Sequence, residues 1–175
     1  TLINPQVDDR IFYEKPSIWS ALYRRDFLAN NNITFLETPG ASYQDAGFNF
    51  KVWASATRIV YVDESFVSYR QDNEQSSVNS PSKVYCVCDE YEEMFKFIIS
   101  KDPASQERLR AILVRMKYDT YMWNLDRLAL NLGSEFVYRA AEELRAHAAD
   151  EANLTYMSPW KLERMNTLIA NPLLF

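Results

Sequence analysis

Through the second half of the chain, from residue 80 onward, apolar residues recur at intervals of three and four positions. This spacing places them on one face of an α-helix, so it predicts an amphipathic helix wherever it persists. Prolines, serines and a glycine divide the pattern into four helices, expected over 80–100, 102–133, 134–148 and 158–170. The apolar faces of these helices are, in order, Val84, Cys88, Tyr91, Phe95 and Ile98; Leu109, Ile112, Leu113 and Met116; Phe136, Val137, Ala140, Ala141 and Leu144; and Leu162, Met165, Leu168 and Ile169.

The first half of the chain carries shorter and mixed patterns. One helix is expected to begin at Pro16 and to end at the asparagines 30–32, and another is expected over 43–56. Runs rich in β-branched and aromatic residues predict three short strands, which are too few for a closed sheet, over 33–36, 58–62 and 65–69. The pattern therefore predicts an α+β, mainly helical fold, in which an incomplete α+β region (residues 1–79) precedes a helical extension (residues 80–175).

Composition excludes several classes of function. The 175 residues include three glycines, so neither glycine-rich phosphate-binding loop is present, and one histidine, so multi-histidine metal sites are excluded. The net charge of −5, without a dense basic run, argues against nucleic-acid binding. No apolar stretch approaches the roughly 20 residues of a membrane-spanning helix. Most familiar sets of catalytic residues are therefore absent from the sequence.

Several polar residues of the helical half are interpreted as structural. Cys86 and Cys88 lie two apart in an expected helix, where they point in different directions and cannot form a disulfide with each other, which favours a reducing, cytosolic setting. They lack a second pair of ligands for zinc. His147 is expected near the end of a helix. The remaining charges are interpreted as a solvated helix face: Arg139, Glu142, Glu143 and Arg145.

The most informative segment runs from Thr38 to Phe48, where a turn leads into a helix with a polar first turn. Asp45 follows Ser42 by three residues, the spacing of a capping box with aspartate in place of glutamate. A carboxylate there is favoured by the helix dipole without any further role. The same position would keep Asp45 ionised, as a general base requires. Capping and catalysis are both compatible with the sequence.

Two further groups of residues have the chemistry to contact a sugar or a phosphate. One is the polar segment 68–77, whose alternative interpretation is an ordinary loop. The other is a set of aromatic residues suited to stacking on sugar rings, whose alternative role is in the core: Trp19, Tyr23, Tyr43 and Trp53.

A series of short motifs follows in order along the first half of the chain: Lys15 to Trp19, Leu22 to Leu28, Ile33 to Phe35, Gln44 to Phe48, Tyr69-Arg70, and Ser76 to Val78. Taken together, this series resembles the second half of bacterial family 2 glycosyltransferases of the GT-A fold, which build capsular, exopolysaccharide and lipopolysaccharide glycans. The resemblance spans about Lys15 to Glu93, a little under half of the chain. The helical remainder is similar to the variable extension that such enzymes often carry.

The resemblance implies roles for individual residues. Asp45 would take the proton from an acceptor hydroxyl as that hydroxyl attacks a nucleotide-sugar, with inversion at the anomeric carbon. Gln44 stands where the family more often has glutamate, which leaves the base in place but removes the first carboxylate. Trp19, Tyr23 and Arg24 would lie on the acceptor side, with Tyr43 as an aromatic contact. Donor diphosphate or acceptor contacts are implied for Tyr69, Arg70, Ser76 and Ser77.

The family's nucleotide-binding half carries an Asp-x-Asp motif that holds a divalent metal, and this chain contains no Asp-x-Asp. We therefore expect a C-terminal fragment that is inactive alone, with Mg²⁺ or Mn²⁺ bound only by the full-length enzyme. Its expected partners are a nucleotide-sugar donor and a glycan or lipid-linked acceptor, in the cytoplasm or peripherally at the inner face of the membrane. The alternative is a non-catalytic helical module that binds a protein through an exposed apolar face.

Overall fold

Six α-helices form most of the structure, a computed structural model that describes residues 1–37, 43–68 and 84–174. Strands β1 (Leu2–Ile3) and β2 (Ile59–Val60) pair antiparallel, with Leu2 opposite Val60. No helix in these ranges has the length and apolar character needed to cross a membrane. The helices are α1 (Arg25–Asn30), α2 (Gln44–Ser55), α3 (Cys86–Ile98), α4 (Pro103–Arg127), α5 (Leu130–Ala148) and α6 (Pro159–Ala170).

Local signals explain where several helices begin. The Asp102 carboxylate accepts a hydrogen bond from the Ser105 backbone N–H at 3.0 Å, and Pro103 occupies the first turn of α4. Pro159 likewise occupies the first turn of α6, as expected, although the Ser158 side chain makes no capping hydrogen bond. The mainly helical character predicted from the sequence is confirmed.

The predicted apolar faces of α3 to α6 form the main core. α3 packs between α2 and α4, and α5 packs against α4 and α6. Phe12 and Phe50, from the first part of the chain, join the same core as Tyr91 and Leu113. Residues on both sides of the expected boundary at 79/80 therefore share one set of packing contacts.

The break between α4 and α5 lies earlier in the chain than predicted. The second helix was expected to end at Gly133, and Ser134 was expected to cap the third. α4 ends at Arg127, and α5 begins at Leu130 after two extended residues. Gly133 and Ser134 lie inside α5, where the Gly133 N–H bonds to the Ala129 carbonyl at 2.8 Å. Leu128 and Leu132 both pack on the main core. This burial outweighs the roughly 1 kcal/mol cost of a glycine inside a helix.

The prediction of one helix from Pro16 was wrong. The segment forms a short 3₁₀ turn at Ile18–Ser20 and then α1, with extended backbone between them. The strand expected over 33–36 is also absent, although the chain is described there. Ile33 is buried against Phe48 of α2 instead. This segment packs on a helix rather than pairing with a strand, so it lacks the hydrogen-bonded neighbour that defines a sheet.

The two later strand predictions were wrong in extent. Only Ile59–Val60 of the run 58–62 pairs, and its partner β1 was not predicted. The described part of the run 65–69, residues 65–68, forms no strand. Ser80 and Pro81, predicted to open α3, lie outside the described residues. The helix 43–56 is confirmed as α2.

Candidate functional site

Asp45 lies in the first turn of α2 with its carboxylate half-buried. One oxygen accepts a hydrogen bond from the Ala46 backbone N–H at 2.9 Å. Burial raises the pKa of Asp45, against the opposing effects of backbone hydrogen bonds and of the nearby Lys15 charge. A raised pKa makes the carboxylate a stronger base. Ser42, its expected capping partner, lies outside the described residues.

Tyr43 immediately precedes α2 and is held by the C-terminal end of α4. Its backbone φ is 64°, a left-handed conformation that a tyrosine adopts only where its surroundings impose it. The hydroxyl donates to Asn124 Oδ1 at 2.5 Å, and the Arg127 guanidinium lies 5.3 Å from the ring centroid. Burial raises the pKa of Tyr43 to about 12. The ring therefore packs on the helical part of the molecule and also meets Trp123 edge-on.

Gln44 and Gly47 make further contacts at the start of α2. The Gln44 side-chain amide donates to the Leu36 carbonyl at 3.0 Å. A Cβ on Gly47 would collide with Glu90 Oε2 of α3, so glycine allows this carboxylate to approach the backbone of α2. Asp45 thus lies between Tyr43, which contacts α4, and Gly47, which lies against Glu90 of α3.

Glu90 is a buried carboxylate that sequence analysis missed. It is 1% exposed, and its Oε1 has no hydrogen-bond partner in the described part of the chain. Burial raises the pKa of Glu90 to about 7, although the charge of Lys51 opposes this shift. The position of Glu90, three residues after buried Val87 and four before buried Met94, was the available signal.

Lys51 supplies the positive charge of this buried cluster. It is 2% exposed, and its ammonium lies 2.9 Å from Glu93 Oε1 and donates to the Thr34 carbonyl at 3.2 Å. The lysine therefore connects α2 to α3 and to Thr34, which lies after the end of α1. The cluster of Lys51, Glu90 and Glu93 therefore supports α2 beyond the turn that carries Asp45.

The structure gives the other predicted residues different surroundings. Trp19 is exposed on the 3₁₀ turn that contacts α2. Tyr23 packs edge-on against Phe48, and its hydroxyl donates to Asn49 Oδ1 at 3.0 Å. It therefore belongs to a small second core that Ile33 forms with Phe48 and Val52 of α2. Arg24 forms a surface ion pair with Asp26 at 2.8 Å. Four predicted contacts lie outside the described residues: Tyr69, Arg70, Ser76 and Ser77.

A second polar cluster lies between α4 and α5, where a solvated face was expected. Lys117 is almost fully buried and forms an ion pair with Glu143 Oε2 at 2.8 Å, and the Tyr121 hydroxyl donates to the same oxygen at 2.5 Å. Burial would raise the pKa of Glu143, but the bonds from Lys117 and Tyr121 lower it to about 2. Arg139 also pairs with this carboxylate. Glu143 is therefore partly buried, unlike the exposed Glu142.

His147 extends the second cluster. Its ring stacks on Phe95 with centroids 4.3 Å apart, and its Nε2 lies 3.2 Å from the Lys117 ammonium. Burial, together with the Lys117 charge, lowers the pKa of His147 to about 4. The imidazole is therefore neutral near pH 7 and accepts a hydrogen bond from the lysine. Its place near the end of α5 is as predicted.

Neither a group of metal ligands nor either of two open cavities lies at Asp45 in the described part of the chain. Within residues 1–37, 43–68 and 84–174, no three His, Cys, Asp or Glu side chains are grouped to hold a metal ion. An open cavity of about 250 Å³ is bordered by Leu36 and Glu93, and another of about 230 Å³ by Arg108 and Tyr156. Asp45 lines neither of them. Neither Cys86 nor Cys88 forms a disulfide in the described part of the chain.

Comparisons with protein-family models, with curated proteins and with solved structures found no match to this chain.

Proposed function

We propose that this chain is the acceptor-side part of an inverting glycosyltransferase of the GT-A family 2 type, with Asp45 as the general base. The Asp45 carboxylate takes the proton of an acceptor hydroxyl while the oxygen attacks the anomeric carbon of a nucleotide-sugar. The bond from that carbon to the nucleotide diphosphate breaks, and the diphosphate leaves from the opposite face. A new glycosidic bond forms with inverted configuration.

One observation carries this proposal: a half-buried carboxylate with a raised pKa lies in the first turn of a helix that is anchored on both sides. A general base needs both basicity and a fixed position, because small displacements from the reacting proton reduce the rate steeply. Burial supplies the basicity, while the contacts of Tyr43 and Gly47 restrict the position. The order of the short motifs in the sequence supports the same function.

The donor-binding half and its metal are assigned to sequence outside this chain. The described residues group no metal ligands. Donor and acceptor are proposed as a nucleotide-sugar and a glycan or lipid-linked sugar. The proposed location is the cytoplasm or the inner face of the membrane.

The test begins with the coding sequence upstream of Thr1, read for a strand that ends in Asp-x-Asp. The complete open reading frame is then assayed for sugar-nucleotide turnover with wild type, Asp45→Asn and Glu142→Gln. Asp45→Asn should abolish transfer while donor binding and folding are retained. Glu142→Gln makes the same carboxylate-to-amide change at an exposed position of α5 and should keep full turnover. Wild-type turnover by Asp45→Asn would overturn the assignment.

Exposed apolar side chains favour a second candidate, a non-catalytic protein-interaction module. Leu22 and Phe66 are largely exposed, as are Val62 and Val67 in the same part of the chain. An interface is typically built on exposed apolar side chains such as these. Absence of an upstream donor site, together with recovery of a stoichiometric protein partner, would favour this module over the transferase. Exposed apolar side chains also occur on the helices, among them Trp123, Leu130 and Trp160.

A further inference from the structure

Asn124 is the most completely buried polar residue near the candidate site, with 0% of its surface exposed. It lies one turn before the end of α4, and each polar atom of its side chain has a partner. Oδ1 accepts from the Tyr43 hydroxyl at 2.5 Å and from Arg127 Nε at 3.1 Å. Nδ2 donates to the Val84 carbonyl at 3.4 Å. A buried amide is tolerated in a helix interface because these partners replace water.

The partners of Asn124 come from separate parts of the chain. Tyr43 is the residue from which α2 begins, and Val84 lies two residues before α3. One side chain of α4 therefore connects the starts of two other helices. The acceptor and donor ends of the amide cannot be exchanged without losing these bonds, so the orientation of the amide follows from its partners.

The start of α2 depends on this connection. The Tyr43 side chain makes no capping hydrogen bond to the first turn in the part of the chain that the structure describes, and the left-handed backbone of Tyr43 is a conformation that contacts must hold in place. The Tyr43 side chain contacts three residues of α4, namely Asn124, Arg127 and Trp123. Asp45 follows two residues later.

We propose that Asn124 is a positioning residue for Asp45: by binding the Tyr43 hydroxyl and the Val84 carbonyl together, it fixes where the first turn of α2 and its carboxylate lie. This role rests on the proposed function of Asp45 as a base. The helical part of the chain would then contribute directly to the geometry of the site. Asn124 itself touches no reacting atom.

The test is an NMR titration of aspartate carboxyl groups in the 175-residue chain, with the Asp45 signal assigned by Asp45→Asn. Wild type is compared with Asn124→Leu, which removes all three hydrogen bonds, and with Tyr43→Phe, which removes one hydroxyl. Loosening the first turn exposes Asp45 to water, and burial is the cause of its raised pKa. The titration midpoint of Asp45 should therefore fall toward the ordinary value of 3.8 in both variants, further in Asn124→Leu.

Asn153→Leu is the matched control. Asn153 is also buried, and its Nδ2 donates to the His147 carbonyl at 2.9 Å. It lies in another 3₁₀ turn, Glu151–Leu154, beside Arg108 of α4. Arg108 is 16 residues, or about 24 Å along the axis of α4, from Asn124. This variant should lose stability without moving the Asp45 midpoint, so a general loss of stability is distinguished from loss of positioning.

The outcomes separate the two proposals. An unchanged Asp45 midpoint in Tyr43→Phe and in folded Asn124→Leu would overturn the positioning role. If Asn124→Leu does not fold, Tyr43→Phe decides, because it retains the ring and its packing. A lowered midpoint supports the role even if the Asp45→Asn turnover assay rejects the transferase, since the titration needs no sugar substrate.

Discussion

The first region, residues 1–68, and the helical region, residues 84–174, use their apolar residues in different ways. In the helical region the predicted stripes of α3 to α6 are buried together in one core. In the first region Leu22 is fully exposed, and Phe66 and Val67 lie mostly in water. An amphipathic helix completes its hydrogen bonds within itself and needs only a surface to pack on. A strand needs a second strand, and β1 is the only described partner of β2.

The comparison also separates two kinds of polar residue. The ion pair of Arg24 with Asp26 in the first region lies at the surface, whereas the pair of Lys117 with Glu143 in the helical region is largely enclosed. Asp45 belongs to neither class, because it is half-buried on a helix of the first region that packs against the helical region. The candidate site therefore lies where the two regions meet.

The largest expected effect comes from a matched pair of leucines. Leu113 of α4 is 0% exposed and Leu22 is 102% exposed, so Leu→Ala makes the same chemical change in opposite surroundings. We expect Leu113→Ala to lower the free energy of unfolding by about 2–5 kcal/mol, because it removes buried contacts and leaves a cavity. Leu22→Ala should change it by less than about 0.5 kcal/mol. Urea titration followed by circular dichroism measures both.

Equal effects of the two leucine variants would contradict the comparison. A large loss of stability in Leu22→Ala would mean that its side chain is covered in solution, for example by a second copy of the chain. Repeating the titration at several protein concentrations distinguishes this case, since association makes stability depend on concentration.

The second prediction concerns the two ion pairs. Lys117→Met keeps an apolar stem of similar length but leaves Glu143 without its buried lysine. Breaking a buried pair typically costs about 3–5 kcal/mol. Here we expect about 2–3 kcal/mol, because Arg139 and Tyr121 still bind the Glu143 carboxylate. Differential scanning calorimetry at pH 7 measures the loss.

Arg24→Met is the control for this second prediction, since it removes the cation of an exposed pair. Its effect should lie within about 0–1 kcal/mol. If Arg24→Met proves as costly as Lys117→Met, the surface pair has a structural role that its exposure does not indicate.

The sequence predicted much of the helical region. It predicted little of the first region, and it did not predict the residues that support Asp45. The stripes of α3, α4, α5 and α6 were found because helical periodicity is local in the chain. β1 was missed, since two residues carry no detectable period and their pairing depends on Ile59–Val60, more than fifty residues away. Asp45 was identified from the polar start of α2. Whether it acts as a base stays a prediction.

The residues that support Asp45 were missed for a physical reason. Glu90 and Asn124 occupy positions on the buried faces of their helices, where polar residues interrupt the apolar stripes. Such an interruption is visible in the sequence, but its partners are not. The Tyr43 hydroxyl lies 81 residues from Asn124 along the chain, and the space beside Gly47 exists only once α2 and α3 are packed. The structural role of a buried polar residue is set by its tertiary contacts, which the sequence does not show.

The smallest predicted effect is a pH dependence that arises where α2 of the first region meets α3. Burial raises the pKa of Glu90 from an ordinary value of 4.5 to about 7, while the facing charges are those of Asp45 and Lys51 from α2 and Asp89 and Glu93 from α3. Between these two pKa values the folded state holds a proton that the unfolded state has released. The contribution of Glu90 to stability is therefore fully present below pH 4.5 and is lost as the pH rises through about 7.

Raising the pH from 5 to 8 should thus lower the free energy of unfolding of wild type, by on the order of 2 kcal/mol, relative to Glu90→Gln. Parallel urea titrations of the two proteins at half-unit pH intervals measure this difference, and a wild-type curve parallel to that of Glu90→Gln would show that Glu90 titrates as an ordinary, hydrated carboxylate.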